Sequence, residues 1–362
     1  MSSASAVSFE ILILIASIII ILLALTAVLT IAQSVRCERH DKQNKKVRSS
    51  VQEALLERME AANPDWEEWV EELTTSEQRV ATELLEEYLQ RIQGRDRAAL
   101  QKLGCTLGID EEAQHKLHNG NRFERFWALR WILRLDIDIK IEVLQNTSKD
   151  YPETRAAAAR VLYEQEQPDA AQAGTELLLQ GSEPLSVLGI DTLYQLNKLS
   201  PEPLITSAKG SYDNWTESRL IQVLQVIGEA GPSKPDATLG WIGFLFLSES
   251  PNVRAAAAQS LSGYGWHEDV RSAVDIEQIR ADESPKVRRA VYRMLGTWDD
   301  KESTDRLISA IKTEASPRAA IDAIVALEGQ VAQVPESDLS TASAAAEDWV
   351  LRSKYGNKEA AQ

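Results

Sequence analysis

The chain reads as an all-α protein, an α-solenoid of about seven paired-helix repeats preceded by a single transmembrane helix. Three observations carry that reading. One phrase, seen in "SPNVRAAAAQSLSGYGW" (250–266) and again in "SPKVRRAVYRMLGTW" (284–298), recurs at a near-constant period. Between residues 122 and 329 apolar residues fall at helical spacing, and no strand-type alternation appears. Residues 11–35, "ILILIASIIIILLALTAVLTIAQSV", hold no charge at all.

The charge-free run comes first in the chain. About 25 helical residues span roughly 37 Å, more than the roughly 30 Å of a hydrocarbon core. A signal peptide would need a basic leader and a shorter apolar stretch. The leader "MSSASAVSFE" (1–10) has no Lys or Arg and ends in Glu10. Residues 11–35 are therefore expected to be a retained transmembrane helix. Arg36, Arg39, Lys42, Lys45, Lys46 and Arg48 follow it, and no basic residue precedes it. The positive-inside rule then places residues 1–10 outside the cytoplasmic (inner) membrane and the bulk of the chain in the cytoplasm. The basic segment 36–46 sets topology or also touches anionic headgroups. Cys37 lies at the membrane boundary, where lipidation is chemically available.

Residues 47–119 read as a helical connector or N-terminal cap. Val47, Val51, Leu55 and Met59 form one stripe. Asn63-Pro64 ends that helix. Trp66, Trp69, Val70 and Leu73 share the next face. In 74–94, Ser76 is the expected N-cap, Gly94 the C-cap, and Val80, Leu84, Tyr88 and Ile92 the stripe. The 47–94 helices either cap the following domain or pair two chains as a homodimer handle.

The repeats occupy 120–330. The phrase starts at Arg122, Pro152, Pro184, Thr216, Pro251, Pro285 and Pro317, in steps of 30, 32, 32, 35, 34 and 32 residues. Pro suits the first turn of a helix, where its missing N–H would be unbonded anyway. Small residues follow, such as Ala156 to Ala159 and Ala255 to Ala258, and then a larger apolar stripe. Gly228, Gly263 and Gly296 are expected to end their helices. Second amphipathic stretches lie between, at 138–145, 170–180, 202–209, 237–247, 268–280 and 303–312. One pair cannot bury its apolar face alone, but stacked pairs can. "GWIGFLFL" (240–247) is too short to span a bilayer and reads as a buried helix of the stack. Residues 331–362 are expected to add a closing helix carrying Trp349 and Leu351, then a frayed tail from Asn357.

Paired helices at this period, opening on "xPxVRxxAAxxLGxxG", resemble bacterial HEAT repeats, and most nearly the short HEAT-like repeats of phycobilisome lyases. "SPNVRAAAAQSL" and "SPKVRRAVYRML" fit the pattern, whereas Val187 and Ala320 stand where it has Arg. The resemblance implies an inter-repeat ladder of carboxylates with Arg125, Arg155, Arg219, Arg254 and Arg288. Asp150, Asp213, Glu249 and Glu283 are the acids that precede such positions. It also allows a chromophore-lyase-like role, or one in assembly or maturation of a membrane complex.

Nothing marks a catalytic site. There is no Walker A loop, no G-x-S-x-G and no G-x-G-x-x-G. No cofactor is expected. Cys105, His115 and His118 are the weak metal-ligand candidates, in a spacing that matches no common zinc motif. A net charge of −16 argues against nucleic acid as partner. Trp266 and Trp298 follow consecutive second helices at the turns, where they either pack between adjacent repeats or serve as candidate contacts for a protein partner. The resulting expectation is a non-enzymatic, membrane-anchored scaffold that binds a protein at the cytoplasmic face of the membrane.

Overall fold

The computed structural model describes residues 45–61, 64–166, 169–230, 238–327 and 330–359. The leader 1–10, the predicted transmembrane segment 11–35 and residues 36–44 with Cys37 lie outside the described residues. Among the described residues no helix is long and apolar enough to cross a membrane, and none forms a strand. The chain divides into two compact units, one ending at Glu111 and one starting at Glu112.

In the first unit, helix α1 covers 45–60 and is followed by α2 (Trp66–Glu72), α3 (Thr75–Leu89) and α4 (Arg95–Thr106). Val51 and Leu55 of α1 are buried in the chain itself, and Arg48 reaches Glu87 of α3 at 2.7 Å. The stripe is therefore not a free face for a second copy. Thr74, not Ser76, caps α3, through a reciprocal capping box with Glu77. The buried face of α3 is Ala81, Leu84, Leu85 and Leu89, which keeps Leu84 of the expected stripe and is otherwise rotated from it. Gly94, at φ 71°, opens α4 and does not close α3. The division between the units falls within α5 (Ile109–Asn119).

The second unit continues with α6 (Arg122–Leu135), α7 (Ile141–Ser148), α8 (Pro152–Glu164), α9 (Ala170–Leu179), α10 (Val187–Leu199), α11 (Glu202–Ser211) and α12 (Glu217–Ala230). It ends with α13 (Gly240–Phe244), α14 (Pro251–Tyr264), α15 (Glu268–Ala273), α16 (Ile276–Arg280), α17 (Pro285–Trp298), α18 (Lys301–Thr313), α19 (Pro317–Ala326) and α20 (Thr341–Glu359). The repeated phrase forms one layer, in which α6, α8, α10, α12, α14, α17 and α19 each pack on the next and α20 closes the row. The intervening helices form the other layer. This is the predicted α-solenoid. In one repeat the intervening element is split into α15 and α16. In another it is a short α13 with a 3₁₀ turn, which buries Trp241 and Ile242 but leaves Phe244 and Leu247 exposed.

Small residues set the spacing of the phrase layer. Ala156 to Ala159 and Ala255 to Ala258 are buried throughout. Gly228, Gly263 and Gly296 lie inside the last turns of α12, α14 and α17 and do not terminate them. A Cβ on Gly263 would stand 1.9 Å from the Gly228 carbonyl oxygen, and one on Gly296 would stand 2.7 Å from the Ala326 Cβ. These glycines permit close approach. The left-handed positions after the second helices belong to Asp136, Glu166, Gly265 and Asp299.

Two further expectations change. Pro184 lies three residues before α10, whose cap is Ser186, so the loop from 180 to 186 is longer than its counterparts. In α20 the packed face is Ser343, Ala346 and Val350, while Trp349 and Leu351 point to solvent. That helix runs through Glu359, past the expected tail.

Gly263→Ala should destabilise the fold by roughly 1–3 kcal/mol, as overpacking does. Gly210→Ala, where nothing lies within 4 Å of the added carbon, should be neutral or stabilising by up to about 1 kcal/mol. Urea unfolding of the two variants checks the contrast, and equal effects would contradict the close-approach role.

Candidate functional site

The five arginines expected to link repeats all sit near the start of second helices, and all five are bonded. Arg125 donates to the Thr147 carbonyl at 3.0 Å and to the Asp150 carboxylate at 3.2 Å. Arg254 forks onto Asp282 at 2.7 and 3.0 Å. Its remaining nitrogen reaches the carbonyls of Ser248 and Glu249 at 2.8 and 3.1 Å. Arg288 repeats this one unit later, with Glu314 at 2.8 and 2.7 Å and the carbonyls of Asp282 and Glu283 at 2.8 and 3.1 Å. The ladder exists, but most of its acids differ from those expected. Glu249 and Glu283 offer backbone carbonyls to the arginine, while the pairing carboxylates stand one residue earlier in the turn motif, at Asp282 and Glu314. Asp213 is exposed, and the second helix of the repeat before it, α10, has no arginine to meet it.

The turn explains the position. Asp282 Oδ1 accepts from the Ser284 N–H, and Glu314 Oε1 from the Ser316 N–H, both at 2.8 Å. Each acid thus shapes its own turn and anchors the arginine of the repeat before. Burial alone would raise the Glu314 carboxyl. Arg288, the Ser316 N–H and the Tyr292 O–H at 2.7 Å outweigh it and hold the group at about 2. Among the described residues Arg155 and Arg219 hydrogen-bond backbone carbonyls and no carboxylate: Lys149 for the first, and Leu178, Gln180 and Glu183 for the second, which also lies over the Trp215 ring at 5.4 Å.

The two tryptophans part company. Trp298 is 4% exposed at the end of α17, packed inside the stack. It offers nothing to a partner, because α17 reaches its own C-cap only at Asp299 and so carries Trp298 on its inner face. Trp266 is 50% exposed. It follows Gly265 at φ 71° and precedes His267, whose ring hydrogen-bonds Asp269. Asp269 also accepts from the N–H groups of Leu239 and Gly240, both at 2.9 Å, which ties the turn to the preceding repeat. Trp266 therefore stands on a fixed turn. Large apolar side chains are also exposed near the starting ends of second helices: Phe123, Tyr151, Val187 and Leu247. Arg122 lies over the rings of Phe123 and Tyr151, at 5.9 and 5.5 Å. Periodicity could not single these out, since it reports a helix face and not a helix end.

Cys105 is exposed on α4, and His115 and His118 are exposed on α5. Among the described residues no three His, Cys, Asp or Glu side chains are grouped so as to hold a metal. Burial and Asp110 push the Cys105 thiol above its ordinary value, which disfavours the thiolate that a metal or an electrophile would need.

Residues 272–354 match a protein-family model described as HEAT repeats. The match shows HEAT repeats in that span, and the stacked helix pairs on its N-terminal side continue the same α-solenoid architecture. No curated protein and no solved structure matches the chain.

Glu314 gives a pH signature. Its folded pKa lies below the unfolded value, so its stabilisation is complete above about pH 5 and is lost as pH falls toward 2. The shift corresponds to something on the order of 3 kcal/mol. Glu314→Gln should lose roughly 3–5 kcal/mol at pH 7, because it strands Arg288, and should lack this part of the acid dependence. Urea midpoints of both proteins at pH 7 and pH 3 measure it. A gap between them that stays constant with pH would contradict the assignment.

Proposed function

We propose that this protein is a membrane-anchored HEAT-repeat scaffold that binds a protein partner at the cytoplasmic face of the membrane, and that it works by binding, not by catalysis. One observation carries the binding role. The stack buries its own apolar interior, yet leaves large apolar side chains exposed at its turns, Trp266 on a fixed turn among them. Solenoids present such extended surfaces to partners, and a rigid aromatic on a turn loses little entropy when it is covered. The net charge of −16 favours a partner with a basic surface. Membrane attachment rests on the charge-free run 11–35 and the basic residues after it. An anchor would raise the local concentration of whatever the stack holds.

Crosslinked capture from membranes, with the whole chain and with one lacking residues 1–36, tests both halves of the reading. The same specific protein should be recovered by each, and only the whole chain should hold it at the membrane. Trp266→Ala should weaken capture about tenfold or more and leave the melting temperature unchanged. Trp298→Ala should instead cost roughly 3–5 kcal/mol of stability. Recovery of no specific protein would sink the scaffold reading.

Orientation is tested separately on Cys105, which is exposed. An impermeant thiol reagent should modify it only after cells are permeabilised. Labelling of intact cells would place the stack outside.

A further inference from the structure

The carboxylate ladder is interrupted in one place. Arg254 meets Asp282, three residues before Pro285, and Arg288 meets Glu314, three residues before Pro317. The residues in the same register after Arg155 and Arg219 are Gly181, three before Pro184, and Ser248, three before Pro251. Neither carries a carboxylate. Ser248 Oγ keeps the turn-forming role, accepting from the Ser250 N–H at 3.3 Å, and supplies no charge. The two arginines left without an acid line one and the same cleft.

That cleft lies among Arg155 of α8, Leu178 of α9, Glu183 and Ser186 of the long loop, Gly189 of α10 and Arg219 of α12. Both arginines are more than nine-tenths buried, at 7% and 1% exposure. Arg219 gives Nη1 to the Glu183 carbonyl at 2.8 Å and Nη2 to those of Leu178 and Gln180 at 2.6 and 3.3 Å. Its Nε–H has no acceptor. Arg155 gives Nη1 to the Lys149 carbonyl at 2.9 Å. Its Nη2 faces the register position of Gly181, where a Cβ would stand 3.2 Å from it and 2.9 Å from Glu183 Oε2. Carbonyls satisfy donors without neutralising charge. Burial, and next the repulsion from Arg155, lower Arg219 to about 10. Glu183 is exposed and acts on both arginines through space, but among the described residues its carboxylate bonds neither. The interior leaves about 10 Å³ for the centre of a water-sized atom, which is room for one oxygen.

We infer that this cleft binds one small carboxylate, with one oxygen seated between Arg155 and Arg219 in the role that Asp282 and Glu314 fill from within the chain further along the stack. A charge-assisted bond of this kind is roughly twice as strong as one to a neutral carbonyl. In a chain of net charge −16 the cleft is a local exception, so it selects an anion against the general field. Glu183, at its mouth, is a resident competitor. The inference does not rest on membrane attachment or on Trp266.

The test uses the full chain and titrates acetate, with ionic strength held by a sulfonate too bulky to enter. A saturable, one-site rise in melting temperature is expected. Arg155→Gln should weaken it about tenfold or more, while Glu183→Gln should tighten it several-fold. No saturable response in the wild type would overturn the site, and so would an unchanged response in Arg155→Gln. A Glu183→Gln protein that melts lower and gains no affinity would also overturn it, by making Glu183 the counter-ion. A parallel titration with N-acetyl-glutamate amide separates the sources. Tighter binding than acetate assigns the site to an acidic side chain of a partner, equal binding assigns it to a free carboxylate, and either result sustains the cleft.

Discussion

The second helices of this stack approach until backbone meets backbone. Gly263 faces the Gly228 carbonyl with no room for a methyl group between them, and Gly228 faces the Ser260 Cα across the same seam, 2.8 Å from where its own Cβ would be. Helices that carry ordinary side chains at the contact stand about 8–10 Å apart. Glycine removes the side chain that would hold α12 and α14 apart, and there a shift of one residue would drive side chains into main chain. The seam therefore fixes the height of each helix against the next. Fixing the height fixes which turn each arginine can reach.

The carboxylate in the turn exploits that alignment twice. Asp282 and Glu314 each close their own turn on a serine N–H and receive the arginine fork of the preceding repeat. Turn geometry and inter-repeat attachment thus share one side chain, so neither can drift without the other. It also follows that Arg254 and Arg288 have nothing left for a ligand. At Glu314 a third donor, the buried Tyr292 hydroxyl, joins the set. Burial and this carboxylate push the tyrosine above its ordinary value, so it stays a donor at any physiological pH.

The stack itself was legible from one period and one phrase, because a unit that cannot bury its own apolar face must repeat. Capping was less legible: Ser76 was the expected cap of α3, and Thr74 fills that role. What sequence could not supply was the neighbour. Gly228 and Gly263 look like helix ends when read along the chain, and become contact points only when α12 and α14 are laid side by side. Trp298 shares its register in the phrase with the buried Tyr264, at which both helices end, whereas Trp266 lies two residues beyond that register and so reaches the surface. In α20 the bulky Trp349 drew attention, although the small Ser343 and Ala346 make the packed face. The ladder was expected from resemblance, with the acid mostly misplaced by one residue, because spacing alone does not distinguish a carbonyl acceptor from a carboxylate.

The long loop from 180 to 186 shows how the stack survives a break in that ladder. Here α12 reaches back to the loop, where the later repeats reach forward. The Thr216 hydroxyl donates to the Ser182 carbonyl at 2.9 Å, and Gln222 clamps both the N–H and the carbonyl of Leu185, at 2.8 and 3.2 Å. Arg219 adds its three carbonyl bonds. Main-chain acceptors thereby replace the carboxylate and hold α10 in line with no acid in the turn. The span that matches HEAT repeats, 272–354, contains Arg288 and both of the dual-purpose acids. The backward-stapled segment departs from the forward pairing of those repeats. The same departure leaves two buried arginines without a carboxylate of their own. The least repeat-like part of the stack is therefore where chemistry beyond scaffolding has room to occur.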